Sequence, residues 1–144
     1  PSLNTKALYK RSLVLVSRIL KQGFMNMLIK HGVITKCLDQ NKLTIHNASC
    51  LLDESHAAEK IQKLLALPVV AIEIDDYHDG RIFTFIRNLK THHQYKGEIR
   101  LLGNYLIDQM SLFKVCGVDA FVLSDSSDSD HALFILNTTP QNIF

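Results

Sequence analysis

Four short apolar runs constrain this chain more than any other feature, because each is closed by a turn-rich stretch and followed by a helix-like one. They are KLTIH, PVVAIEI, EIRLLG and VDAFVL, beginning at Lys42, Pro68, Glu98 and Val118. Their starts lie 26, 30 and 20 residues apart, and each gap holds one amphipathic helical stretch. That rhythm is β-α repetition, which makes neighbouring strands parallel and their crossovers right-handed. The expected fold class is α/β: four parallel strands with intervening helices, preceded by an N-terminal hairpin. A doubly wound sheet is the preferred form, and half of a β/α barrel is the alternative. In both, every parallel strand ends on the same side. The loops DDYHDG, GNYL and SDSSDSD should therefore share one rim, where such folds keep their sites.

Local signals fill in the elements. MLIK and VITKC flank His31-Gly32, a two-residue hairpin signal. NASCLL reads as a loop. Asp53 or Ser55 is placed to cap a helix with Ala58, Ile61, Leu64 and Leu65 on one stripe. Pro68 stops that helix and opens PVVAIEI, apolar on both faces until Glu73, the mark of a central strand covered on two sides. Asp79 is expected to cap RIFTFIRNLK, with Ile82, Phe85, Ile86 and Leu89 inward. Asn104 is expected to cap YLIDQMSLFKVC, with Leu106, Met110 and Phe113 inward and Gly117 as its stop. Asp128 or Ser129 should cap a last helix around Ala132 to Leu136, and Ile143-Phe144 should pack on a neighbour.

Charge divides the chain. Residues 1–42 carry eight Lys/Arg and one acid, Asp39, whereas residues 43–144 carry eight Lys/Arg and thirteen acids. Residues 1–24 therefore read as a basic amphipathic extension, and residues 25–144 as a single α/β domain with Met25 or Met27 as its natural start. The extension is expected to dock on its own domain or a partner subunit rather than on anionic lipid or nucleic acid. No apolar run approaches the roughly 20 residues that span a bilayer. Three widely spaced cysteines, Cys37, Cys50 and Cys116, match no metal or redox motif and read as reduced thiols in a cytoplasm, with Cys116 in the core. No dinucleotide fingerprint or phosphate loop is present, so no cofactor is expected. The acidic domain lacks the interleaved basic and aromatic residues that nucleic-acid binding needs. Open sheet edges, the hairpin, the extension and the apolar C-terminus together point to a homodimer in which the N-terminal segment contacts the other subunit.

From Ile72 to Val122 the chain resembles a bacterial family, domain of unknown function nine-three-four. The matching residues are Asp79-Gly80-Arg81, Gly97-Glu98-Ile99-Arg100, Gly103, Leu106, Asp108-Gln109 and Gly117-Val118-Asp119-Ala120-Phe121. The opening MLIKHGVI resembles the family's start. The chain departs at Tyr77-His78, where the family has Lys-Phe, at Ile82-Phe83-Thr84, where it has Gly-Tyr-Ser, and at Asn104, where aspartate is usual. The resemblance implies a gene beside that of sulfite reductase in assimilatory sulfur operons, and a family often labelled oxidoreductase without an established activity. The departures remove a hydroxyl and a carboxylate that a shared catalytic chemistry could have used.

The candidate ligand-binding residues are Asp79, Gly80, Arg81, Asn104, Asp108 and Gln109. Arg81 is a cation in the first turn of a helix, where the dipole disfavours it, so a partner is expected. Adjacent parallel strands would set two helix starts about 10 Å apart, letting Arg81 reach Asp108 in a bidentate pair. Asp75, Asp76, Asp125, Asp128 and Asp130 share the rim, but caps and solvated turns explain them better than a metal, and none is assigned one. No catalytic residue is specified. The function expected is that of a cytoplasmic, non-catalytic accessory or assembly partner in sulfite metabolism, with sulfite reductase or another sulfur-assimilation enzyme as partner. The alternative is a small enzyme, or a ligand- or metal-binding protein, with its site at the strand ends.

Overall fold

In the computed structural model, which describes residues 27–37 and 42–140, the chain opens with a tight hairpin. Strands β1 (Met27–Lys30) and β2 (Val33–Lys36) are joined by His31 and Gly32, whose φ values are 55° and 76°. Two positive φ angles give the turn whose twist matches that of the strands, as the sequence led us to expect. There follow β3 (Ile45–Asn47), α1 (Ala48–Leu52), α2 (Ala57–Leu65), β4 (Val69–Ile74), α3 (Arg81–Thr91) and β5 (Glu98–Gly103). A 3₁₀ turn at Ile107–Gln109 leads into α4 (Met110–Cys116). After β6 (Ala120–Leu123), a second at Ser126–Asp128 leads into α5 (Ser129–Thr138). The basic extension 1–24, Met25 and the apolar Ile143-Phe144 lie outside the described residues.

All six strands form one sheet in the order β2-β1-β6-β5-β4-β3. The four expected parallel strands are present: β3 pairs with β4, β4 with β5, and β5 with β6, all parallel. The hairpin is not a separate unit. Its β1 lies antiparallel to β6, with Met27 opposite Leu123, and so extends the sheet.

The preferred doubly wound form is not what the strand order gives. Such a sheet reverses its order at a switch point and carries helices on both faces. Here the parallel strands stand in sequence order, and residues from all five helices join one buried cluster against Ile29, Ile72, Ile99, Leu101 and Phe121. The opposite sheet face holds a smaller cluster, Cys37, Ala71, Leu102 and Val122, to which no described helix contributes. Sequential right-handed crossovers put successive helices on the same side, which accounts for the one-sided layer. The rim is consequently a continuous row of loops without a switch-point crevice.

β4 is buried on both faces up to Glu73, as its composition predicts. On the second face Arg100 is 4% exposed and its Nε donates to Glu98 Oε2 at 2.7 Å, while Lys30 pairs with the other Glu98 oxygen. Burial raises the Glu98 pKa, but the bonds from Arg100 and Lys30 outweigh it and leave the carboxyl below its ordinary value. A buried charge requires such pairing.

Three caps differ from expectation. α1 occupies what reads as the loop NASCLL, because the Asn47 side chain accepts from Cys50 N at 3.3 Å and starts a helix one turn long. α2 has His56 at its N-cap position, while Asp53 Oδ1 instead accepts from Ser55 N at 2.9 Å in a local turn. Asn104 caps nothing: its backbone N donates to Ile74 O at 2.7 Å, so the chain runs on past β4 before turning at Leu106. Asp128 holds the N-cap position of α5 without a side-chain bond, and Gly117 ends α4 as expected.

Candidate functional site

The rim is built by the loops after β3, β4, β5 and β6. In the β4 loop, Asp79 stands one residue before the helix N-cap, Gly80. Its Oδ1 accepts from Arg81 N at 3.2 Å and from Arg81 Nε at 2.9 Å, and its Oδ2 from Arg81 Nη2 at 2.7 Å. This fork-like pairing satisfies a free helix N–H and the guanidinium together. The Arg81 hydrogen bonds, side-chain first, hold the Asp79 carboxyl down at about 2. Arg81 faces solvent with 70% of its side chain exposed, whereas Asp79 beneath it is partly buried.

The expected Arg81–Asp108 pair is not formed. Asp108 lies exposed in the 3₁₀ turn before α4 and makes no ion pair or hydrogen bond among the described residues. The physical reason is distance along the chain: Arg81 meets a carboxylate two residues back, which costs less side-chain ordering than spanning two helices. Arg81 turns instead toward α1 and α2. There it stands on the lip of a cleft of about 450 Å³ with Leu51, Leu52, Ile61 and Phe85 in its walls and Lys60 beside it. Neither Asp108 nor Gln109 lines that cleft.

The candidate Gln109 does join two loops. Its Nε2 donates to Tyr77 O at 2.9 Å and its Oε1 accepts from Leu106 N at 3.0 Å. Gly103, with φ 95°, lets the β5 loop press against β4; a Cβ there would lie 2.5 Å from Ile74 O. Thus Asp79, Gly80, Arg81, Asn104 and Gln109 belong to adjacent, bonded loops, while Asp108 stands apart from the Arg81 pair.

Asp75, Asp76 and Asp125 are likewise committed locally. Asp75 accepts from Ser49 Oγ, and this bond, before all else, lowers its pKa. Asp76 Oδ1 accepts from His78 N at 2.9 Å, and Asp125 Oδ1 from Ser127 N at 3.0 Å and Ser127 Oγ at 2.8 Å. No group of three or more His, Cys, Asp or Glu able to hold a metal occurs among the described residues. Tyr105 donates its hydroxyl to Val122 O at 2.7 Å under the rim, and burial raises its pKa. Cys116 is buried in the core, as expected, and burial raises its thiol pKa; Cys50 is exposed. No helix among the described residues is long and apolar enough to cross a membrane.

Sequence reasoning missed the Ser49–Asp75 bond and the cleft beside Arg81. Both depend on α1, whose signal was Asn47 followed four and five residues later by Leu51 and Leu52.

Among the described residues these features define an α/β protein with a six-stranded sheet, five helices and a rim of hydrogen-bonded loops. A family model described as "Bacterial protein of unknown function (DUF934)" matches residues 49–142, and the chain belongs to that family. No curated protein and no solved structure matches it. Part of the family pattern has a structural meaning at the far end of the sheet. Asp119 Oδ2 accepts from Ile99 N at 2.9 Å and from Lys90 Nζ at 2.9 Å, pinning the start of β6 to β5 and α3.

Proposed function

We propose that the protein is a cytoplasmic, non-catalytic accessory or assembly partner in assimilatory sulfur (sulfite) metabolism, with sulfite reductase or a neighbouring enzyme as its partner. The sulfur context is what the family resemblance implies. One observation carries the non-catalytic part. Asp75, Asp76, Asp79 and Asp125 each accept hydrogen bonds within their own loop or from the one beside it, so they do not converge on a shared reacting point. Asp79, held at about 2 by Arg81, is a poor general acid or base at neutral pH. The test is capture of sulfite reductase by the tagged full chain, followed by its activity with and without the chain. Retention of the enzyme supports the reading; absence of binding to it and to neighbouring sulfur-assimilation enzymes overturns it.

The cleft beside Arg81 favours a second reading, a ligand-holding protein. Arg81 keeps N–H donors beyond those given to Asp79, above an apolar wall. In that reading sulfite or a sulfonate raises the melting temperature of the wild type and not of Arg81→Ala.

A further inference from the structure

At the opposite end of the sheet from the rim, the hairpin turn, the end of α4 and the last turn of α5 enclose a cavity of about 330 Å³. Its floor is apolar, with Ile29 and Phe121, both about 1% exposed. Four polar side chains line it: His31, Lys114, Asp119 and Asn137. Its exposed lining is more polar than apolar, so it suits a small polar molecule held by these side chains.

What these groups already bond shows what they have left. Lys114 Nζ donates to Leu136 O at 2.7 Å and to Thr139 O at 2.8 Å, closing the C-terminal end of α5. An ammonium has three N–H groups, so one is left. Asp119 uses Oδ2 for Lys90 and Ile99 and keeps Oδ1 unengaged among the described residues. No hydrogen bond among the described residues engages the Asn137 amide or the His31 ring. One cavity thus offers a cationic donor, an anionic acceptor and two further polar side chains, above Ile29 and Phe121. A ligand of a single sign meets a like charge in it as well as an opposite one. A ligand carrying both signs satisfies both.

We propose that this cavity binds a small zwitterion of the α-amino acid class, its carboxylate on Lys114, its ammonium on Asp119, and its compact side chain over Ile29 and Phe121. Asn137 takes a remaining hydrogen bond of the ligand. The site is separate from the rim and does not depend on the accessory role.

The test is calorimetric titration of the full chain with L-alanine, L-serine and L-cysteine, and then with their N-acetyl and carboxamide forms. The expected result is binding of at least one free amino acid, with both blocked forms weaker by about tenfold or more. Asn137→Ala should weaken that binding while leaving the melting temperature of the free protein unchanged. His31→Asn, which tolerates the positive φ, is the second variant and should shift affinity in either direction. Three results overturn the proposal: no binding at millimolar concentration, a blocked form that binds as well as its parent, or affinities untouched by both substitutions.

Discussion

His46 is the one described side chain with a buried polar atom lacking a hydrogen-bond partner, its Nε2. It lies in β3 opposite Ile72, on the helix-covered side of the sheet. Burial lowers its pKa, so the folded protein holds the ring neutral where the unfolded chain takes up a proton. The sign follows from linkage: this residue costs no charging energy above the unfolded value near about 6.5, and stability falls as pH drops below it. His46→Leu should remove that acid-side loss and also relieve the unpaired nitrogen, a gain of about 1 kcal/mol at neutral pH. Urea denaturation at about pH 7.5 and 5.5 checks both parts. If wild type and variant lose equal stability on acidification, His46 is not the titrating group. Arg81 teaches a related lesson at the same scale. Its need for a partner was legible in the sequence, but the identity of that partner was decided by Asp79 lying two residues away.

Among the elements, strands were legible and short helices were not. Apolar runs located β4, β5 and β6 to within two residues, because their apolar residues stand close together between Pro and Gly turn signals. α1 escaped because five residues carry too little periodicity to register. The doubly wound preference failed for a different reason. Apolarity on both faces of a strand says that both are covered, without saying by what, and the inward Arg100 of β5 belongs to a face with no described helix. At the rim, the contact between the β4 and β5 loops rests on Gly103, which a sequence reader sees only as a turn. Gly103→Ala places a methyl group 2.5 Å from Ile74 O at φ 95°. The expected cost exceeds about 2 kcal/mol, since the backbone must leave a left-handed conformation or displace β4. A chemical denaturation curve measures it, and a loss below half that value would mean the loop relaxes freely. The variant should also loosen the Gln109–Tyr77 bridge, visible as faster amide exchange in the β4 loop.

At the scale of the whole molecule, the helical layer formed by the described residues leaves a flank without a neighbour among them. α5 has α4 on one side, but no described helix packs beyond it over the hairpin strands. Its sequence is apolar through five consecutive residues, Ala132 to Leu136, more than one buried face requires. Ala132 and Leu136 reach the core, while Phe134 is 67% exposed; on α4, Leu112 is 50% exposed. At the same flank β2 is an edge strand, its outer side unpaired among the described residues and Val33 56% exposed. An open antiparallel edge beside an apolar helix is self-complementary: a two-fold axis can pair β2 with its own copy and bring the two α5 helices together. The expected assembly is therefore a homodimer with a continuous twelve-stranded sheet, twice the six seen in one chain. Sedimentation at micromolar concentration should give twice the 16.3 kDa chain mass. Phe134→Lys should shift the protein to monomer without unfolding it, since the ring contributes little to the monomer core. A Lys36→Pro substitution, which removes an N–H on the open side of β2, should act in the same direction. A wild-type chain that sediments as a monomer, or a dimer indifferent to both substitutions, would show that this flank is solvent-facing in the working protein.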